Sequence, residues 1–275
     1  MPLSTFLHKV EAVITDHPSI KNFLKRILFL IPGNFIIWIP IGPLRGYKWI
    51  FGSGTNPMWL GIYEWHKQQV LKKMVRPNNI VFDIGANVGF YTLLASSIVG
   101  NKGHVYAFEP LPRNIEYLNK HLKINTVNNV SIIEAACSNC SGESLFDESD
   151  VASVGHLSAK GKLQVKTISL DSASLPIPDI LKIDIEGGEI DCLKGAIRLL
   201  SEHKPFVFLA THGFDIKTAC LEILIKYDYE IYLIGDDIAE LLAIPRFSEN
   251  SLITLIPTLL TPFPKDHITW PKSKV

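Results

Sequence analysis

Hydrophobic residues from position 80 onward fall into short, nearly unbroken runs, separated by longer stretches in which they recur every three or four positions. The runs at 80–84, 104–108, 130–134, 180–184, 205–210, 229–234 and 251–256 have the length and continuity of buried strands. The stretches 88–99, 112–124, 187–200 and 216–227 carry the helical period. A strand that is apolar on both faces needs cover on both. Seven such strands alternating with helices therefore predict an α/β, doubly wound sheet. One segment breaks the alternation. Residues 140–170 are polar as far as Gly161 and then alternate through Leu163-Gln164-Val165-Lys166-Thr167-Ile168, which predicts an inserted hairpin beside the rim formed by the strand ends.

Upstream of residue 75 the pattern is less regular, and a helix near 19–30 with a strand pair near 35–52 is predicted as an accessory segment docked on the sheet. Phe23–Leu44 is strongly apolar. Lys25, Arg26, Pro32-Gly33-Asn34, Pro40 and Pro43 interrupt it short of the ~20 residues a membrane-spanning helix needs. It also starts late for a secretory signal and lacks a small-residue cleavage site. The plain reading is packing; the sharper one is an interfacial patch in peripheral contact with a membrane. At 275 residues and 47% hydrophobic content, the chain can bury one sizeable core plus this segment. Lys and Arg total 27, as do Asp and Glu, so there is no net positive field to recruit nucleic acid, which is not an expected partner. Cys137-Ser138-Asn139-Cys140 lacks the second pair a zinc site needs. With Cys192 and Cys220 it reads as reduced thiols in a cytoplasmic protein.

The chemistry concentrates where strands turn into helices. Asp83-Ile84-Gly85-Ala86-Asn87-Val88-Gly89-Phe90-Tyr91-Thr92 follows the apolar run Ile80-Val81-Phe82, placing a carboxylate and two glycines at a strand-to-helix turn. Gly85 and Gly89 allow a tight turn and close approach of a ligand, and the helix start behind them offers unpaired N–H groups. A pyrophosphate loop would want Gly-x-Gly-x-x-Gly and would repel the acid at 83. A cofactor carrying an ammonium and a sulfonium suits that acid, and S-adenosyl-L-methionine is such a cofactor. The next strand ends in Glu109-Pro110, twenty residues beyond Gly89, where an acid can accept hydrogen bonds from both ribose hydroxyls. Asp184 and His212 fall at or just past two further strand ends, so four separate segments converge on one rim. A nicotinamide-dependent oxidoreductase and a non-catalytic binding protein on the same fold are the alternatives.

These blocks resemble the FkbM family of S-adenosyl-L-methionine-dependent methyltransferases. The likeness rests on 83–92, on Ala107-Phe108-Glu109-Pro110 with Pro112 and Asn114, on Ser169-Leu170-Asp171, and on Lys182-Ile183-Asp184-Ile185-Glu186-Gly187-Gly188-Glu189. Gly61-Ile62-Tyr63-Glu64 is similar to the segment preceding the cofactor loop in many members. The resemblance implies a Rossmann-like class I methyltransferase domain over 76–260, after an accessory region at 1–75 and before a tail at 261–275. It implies O-methylation of a hydroxyl on a sugar, glycolipid or glycosylated metabolite. The implied cofactor contacts are Glu64, Asp83, Gly85, Ala86, Asn87, Gly89, Phe90, Thr92, Glu109, Pro110, Asn114, Ala136 and Asp184.

For catalysis the candidates are His212, Asp184, Glu186 and Lys182. His212 is the expected base because an imidazole titrates near neutral pH. Many relatives carry an acid at the end of the fifth strand, where this chain has Ala210-Thr211-His212-Gly213. In an extended strand 182, 184 and 186 would share a face, and a plain Lys182–Glu186 ion pair with Glu189 as a first-turn helix charge is the competing reading. No metal is expected, although paired acids could hold one. His66 and His121 fall on predicted helices, and the tryptophans crowded into the first 65 residues read as core packing, with a platform for a sugar ring at Trp59 and Trp65 as the alternative.

Overall fold

A computed structural model of the protein describes residues 34–147, 156–157, 161–246 and 259–263. The expected helix near 19–30 and strand at 251–256 lie outside the described residues. The accessory segment opens with an antiparallel pair, β1 (Ile36–Trp38) and β2 (Lys48–Ile50), within the span predicted for it. Two helices follow, α1 (Asn56–Leu60) and α2 (Trp65–Met74). The first half of the central sheet then alternates as its periodicity requires: β3 (Ile80–Ile84), α3 (Phe90–Val99), β4 (His104–Phe108), α4 (Pro112–Ile124) and β5 (Val130–Ile133). Pro112 starts α4, where its missing N–H costs nothing.

The predicted insertion is a small sheet of its own, built from β6 (Ala136–Cys137), β7 (Gly142–Asp147), β8 (His156–Leu157) and β9 (Leu163–Ile168). β7 and β9 form the antiparallel hairpin, and the alternation of β9 buries Val165 and Thr167. The chain returns through β10 (Ile180–Ile183), α5 (Glu189–Lys194), β11 (Phe206–Ala210), α6 (Phe214–Lys226), β12 (Tyr229–Ile234), β13 (Asp237–Pro245) and β14 (Leu260–Pro262). The sheet order is β14-β12-β13-β11-β10-β3-β4-β5, with β3, β4, β5, β10 and β11 parallel. Seven strands make the expected doubly wound sheet, and β14 adds a short edge to β12.

Two departures from the sequence expectation have local causes. The helix expected over 187–200 ends at Lys194, because Asp171 accepts the N–H groups of Arg198 and Leu199 and caps a separate wide turn over Leu199–His203. The seventh strand is β13, in Asp237-Ile238-Ala239-Glu240-Leu241-Leu242-Ala243-Ile244-Pro245, where Ala, Leu and Glu favour helix in isolation. Antiparallel pairing on both sides, with β11 and β12, overrides that preference.

Apolar layers cover both faces of the sheet. Val81 joins the one that includes α3 and α4, while Phe82 and Ile84 join the one under α5 and α6. Ile39, Leu44 and Trp49 of the N-terminal segment belong to the first layer. His121 of α4 ties them down: its Nε2 accepts the N–H of Ile50 at 3.1 Å, its Nδ1 donates to the Val88 carbonyl at 2.7 Å, and its ring stacks on Trp49 at 3.9 Å. Burial pushes this imidazole down to about 4, so it stays neutral and keeps both bonds near pH 7.

Candidate active site

Chain order reverses at β3. Its right-hand connections run on through β4 to β5, and the chain then crosses to β10 on its other side, so a crevice opens above the carboxyl ends of β3 and β10. The turn leaving β3 is shaped by its neighbours as well as by any ligand. Gly85 has φ +74°, and a Cβ there would lie 1.9 Å from the Asp184 carbonyl oxygen. Gly89 has φ +96°, and a Cβ there would meet Leu118 of α4 at 2.4 Å. Both glycines are thus required by packing before a ligand is considered.

Glu109 brackets this turn from the end of β4. Its Oε2 accepts the Asn87 N–H at 2.7 Å, and its Oε1 accepts the Leu111 N–H and the Asn114 Nδ2 at 3.1 Å each. Burial raises this carboxyl, and the same hydrogen bonds oppose the rise. Glu109 lines a cleft of about 580 Å³ with Gly85, Asn87, Pro110, Asn114, Ala136 and Asp184, seven of the expected cofactor contacts brought to one place. Phe146, from the inserted hairpin, closes its side. A second cleft, of about 520 Å³, shares Gly85, Asn87, Asp184 and Glu186, and adds Ala86, Phe90, Lys182, Tyr63 and Tyr91. Trp59 and Trp65 line neither cleft. Trp59 packs on Phe51 at 5.7 Å, in line with the packing reading, so the aromatic wall is tyrosine and phenylalanine.

Beneath the second cleft lies a buried charge network. Asp83 is 1% exposed; its Oδ2 accepts the Thr92 hydroxyl at 2.6 Å, and its Oδ1 lies 3.1 Å from Lys182 Nζ. The register of β10 on β3 sets Lys182 opposite Asp83 and explains the pair. Lys182 also donates to the Gly85 carbonyl at 2.8 Å, so it braces the glycine turn from its place beside Asp83. Asp83, Gly89 and Thr92 stand behind the clefts rather than on their walls.

Lys67 of α2, which sequence inspection passed over, is 2% exposed and reaches Glu64 at 2.9 Å, Glu240 of β13 at 2.9 Å and Asp184 at 3.3 Å. Glu64 also accepts the Tyr91 hydroxyl at 2.9 Å. Burial opposes the charge on Lys67, but Asp184, Glu240 and Glu64 outweigh it and hold the ammonium well above its usual range. Burial would likewise raise Asp184, yet Lys67, Lys182 and His212 hold it well below the usual carboxylate range. Neither Lys67 nor Glu240 carries a motif, because a lone lysine on a helix and an acid in a helix-favouring segment look like surface charges.

At the outer rim β10 ends at Ile183, and Glu186 sits at φ +52°, so a turn and not strand alternation brings Glu186 beside Asp184. His212, on the loop entering α6, faces them, with Nε2 3.4 Å from Glu186 Oε2 and 3.7 Å from Asp184 Oδ1. Its Nδ1 lies 2.5 Å from Oε1 of Glu189. That hydrogen bond, with Glu186 and Asp184 nearby and against partial burial, raises the imidazole to about 8. Asp184, Glu186 and His212 bring one potential ligating atom each within 4.8 Å, a concentration of acceptors that a protonated His212 itself offsets.

The Methyltransferase FkbM domain matches residues 83–244. Hexuronic acid methyltransferase AglP of Haloferax volcanii is 30% identical over 156 residues, 54% of this chain and 63% of that protein, so the match spans less than two thirds of the relative. Among solved structures, the FkbM methyltransferase of Methylobacillus flagellatus KT aligns with a TM-score of 0.48 at 19% identity, over 64% of this chain and 50% of that one. Precorrin-6y C5,15-methyltransferase of Geobacter metallireducens GS-15 aligns at 0.45 and 18% identity, over 70% and 92%. With the family match covering more than half of its length, the chain belongs to the FkbM methyltransferase family.

Proposed function

We propose that the protein is a cytoplasmic S-adenosyl-L-methionine-dependent O-methyltransferase acting on a hydroxyl of a sugar, glycolipid or glycosylated metabolite. The observation that carries this reading is the meeting of two clefts at Asp184 and Glu186, one backed by a buried acid at the end of β4 and the other bordered by a histidine-bearing rim. The residues fit the donor: Glu109 keeps a lone pair on Oε2 for a ribose hydroxyl, Asp184 suits an ammonium, and a Cβ at Gly85 would crowd the cradle. When bound, the donor supplies an electrophilic methyl on a sulfonium. The chain's own part is to orient the acceptor hydroxyl against Asp184 and Glu186, exclude water, and take the hydroxyl proton at His212 Nε2. Alignment of this kind is worth roughly 7–11 kcal/mol in favourable cases, and a positioned base adds about 10²–10⁴ in rate. A sugar acceptor agrees with the name of the Haloferax relative, which acts on a hexuronic acid.

Calorimetry with S-adenosyl-L-methionine, its demethylated product and NAD tests the donor; tight NAD binding with no response to the other two would overturn the reading. Mass spectrometry of cell glycans and lipids with and without the protein tests the acceptor. Peripheral membrane contact is part of the same proposal, supported by Phe35, Ile36 and Trp38, which are 56%, 46% and 63% exposed on and beside β1. Purified protein is expected to sediment with anionic lipid vesicles and to lose this when the three are made polar. Unchanged sedimentation would sink the contact without touching the enzymatic proposal.

A further inference from the structure

Glu189 begins α5 with no exposed surface, where water cannot solvate a carboxylate. A favourable charge on the first turn is a weak reason to bury one, since such a charge gains most of its benefit while solvated and this helix has only six residues. Its Oε1 instead accepts the Gly187 N–H at 3.1 Å and lies 2.5 Å from His212 Nδ1. We propose that Glu189 is the positioning residue of the transfer reaction, holding His212 with its proton on Nδ1 and its Nε2 lone pair turned to the rim that receives the acceptor hydroxyl. The inference rests on the functional reading above and adds to it the group that readies the base.

Two constraints lead there. An imidazole nitrogen this close to a carboxylate oxygen must carry the hydrogen between them, which leaves Nε2 as the only basic position of the neutral ring. Nε2 meets Glu186 at 3.4 Å and Asp184 at 3.7 Å, both longer than an ordinary hydrogen bond, so it keeps its capacity for an incoming hydroxyl. Among the described residues, the charged groups facing His212 are three carboxylates: Asp184 and Glu186 from the turn after β10, and Glu189 from α5. Near Glu189 stands the thiol of Cys220, pushed up to about 12 by burial and by Glu189 itself, so the carboxylate has a neutral group beside it. As the reaction proceeds, the acceptor's proton passes to Nε2 and its O–H pair stays on oxygen. That pair forms the new oxygen–carbon bond while the carbon–sulfur pair returns to sulfur. The imidazolium, held by Glu189, later loses its proton to solvent.

The test uses ¹⁵N-histidine-labelled full-length protein saturated with S-adenosylhomocysteine, with His212 followed by NMR against pH. The wild type is expected to carry its neutral-state proton on Nδ1 and to titrate near 8. In Glu189→Gln the midpoint falls towards the ordinary imidazole value of about 6.5, while S-adenosylhomocysteine affinity stays within about two-fold. Glu189→Asp, which keeps the charge, recovers part of the fall. With an acceptor in hand, turnover of Glu189→Gln drops on the order of 10²–10⁴. A wild-type His212 protonated on Nε2, or a midpoint unmoved in Glu189→Gln, overturns the proposal; the wild-type measurement decides even if a variant does not fold. A wild type that binds no S-adenosylhomocysteine overturns the functional reading instead, and is recognised by calorimetry alone.

Discussion

Side chains at the strand ends divide into those that face the clefts and those that hold the facing ones still. Glu109 does both, since Oε1 already accepts two protein N–H groups while Oε2 accepts one and has a lone pair left. Glu109→Ala is therefore expected to weaken S-adenosylhomocysteine binding by about 1.5–3 kcal/mol, the range for hydrogen bonds to a charged group, as read by calorimetry. His212 belongs to the acceptor side. Its active form is the neutral one and its imidazole is raised to about 8, so protonation should remove activity as pH falls through that value. The pH–rate profile is expected to show an acidic limb near 8. His212→Ala should lower turnover about 10²-fold or more, abolish that limb and leave donor affinity intact. A variant that turns over normally would pass the base role to Asp184 or Glu186.

At the scale of elements, the site depends on pieces that lie outside the matched family segment. Helix α2 supplies Lys67, and the β1–β2 pair reaches the sheet through His121 and Trp49. Lys67→Met would leave Glu64, Asp184 and Glu240 together around a buried, uncharged side chain with little access to water, and breaking a buried charge cluster from one side costs about 3–5 kcal/mol. Urea unfolding is expected to show a loss of that size, whereas Lys67→Arg should lose less; equal stability of Lys67→Met would mean that one or more of the acids binds a proton instead. The sign follows from the network: Asp184 stays ionised because Lys67 and Lys182 overcome its burial, and Glu240 is raised by burial despite Lys67.

For the whole molecule, the question is whether the rim needs an ion. Asp184 already has Lys67 at 3.3 Å and Lys182 at 3.9 Å, and His212 brings a further positive charge when protonated. Chelator is expected to leave methyl transfer unchanged. Loss of activity restored by a divalent ion would instead make Asp184 and Glu186 ligands, an outcome read directly in the transfer assay.

The residues by themselves determined the alternation of strand and helix from 80 onward, the inserted hairpin, and the four strand-end groups Asp83, Glu109, Asp184 and His212. These are legible because apolar periodicity and glycine-acid turns are local properties. Only tertiary structure decided which acid faces a cleft and which is spent on a partner. Asp83, read as a ligand for an ammonium, is paired with Lys182 because strand register sets them side by side. Glu189, read as a helix charge, meets His212 across 23 residues, and Lys67 meets Glu240 across 173. β13 became a strand against its composition because two neighbours needed a partner between them. A side chain's role in a buried network depends on what the fold places opposite it, and that pairing energy exists only after the chain has closed on itself.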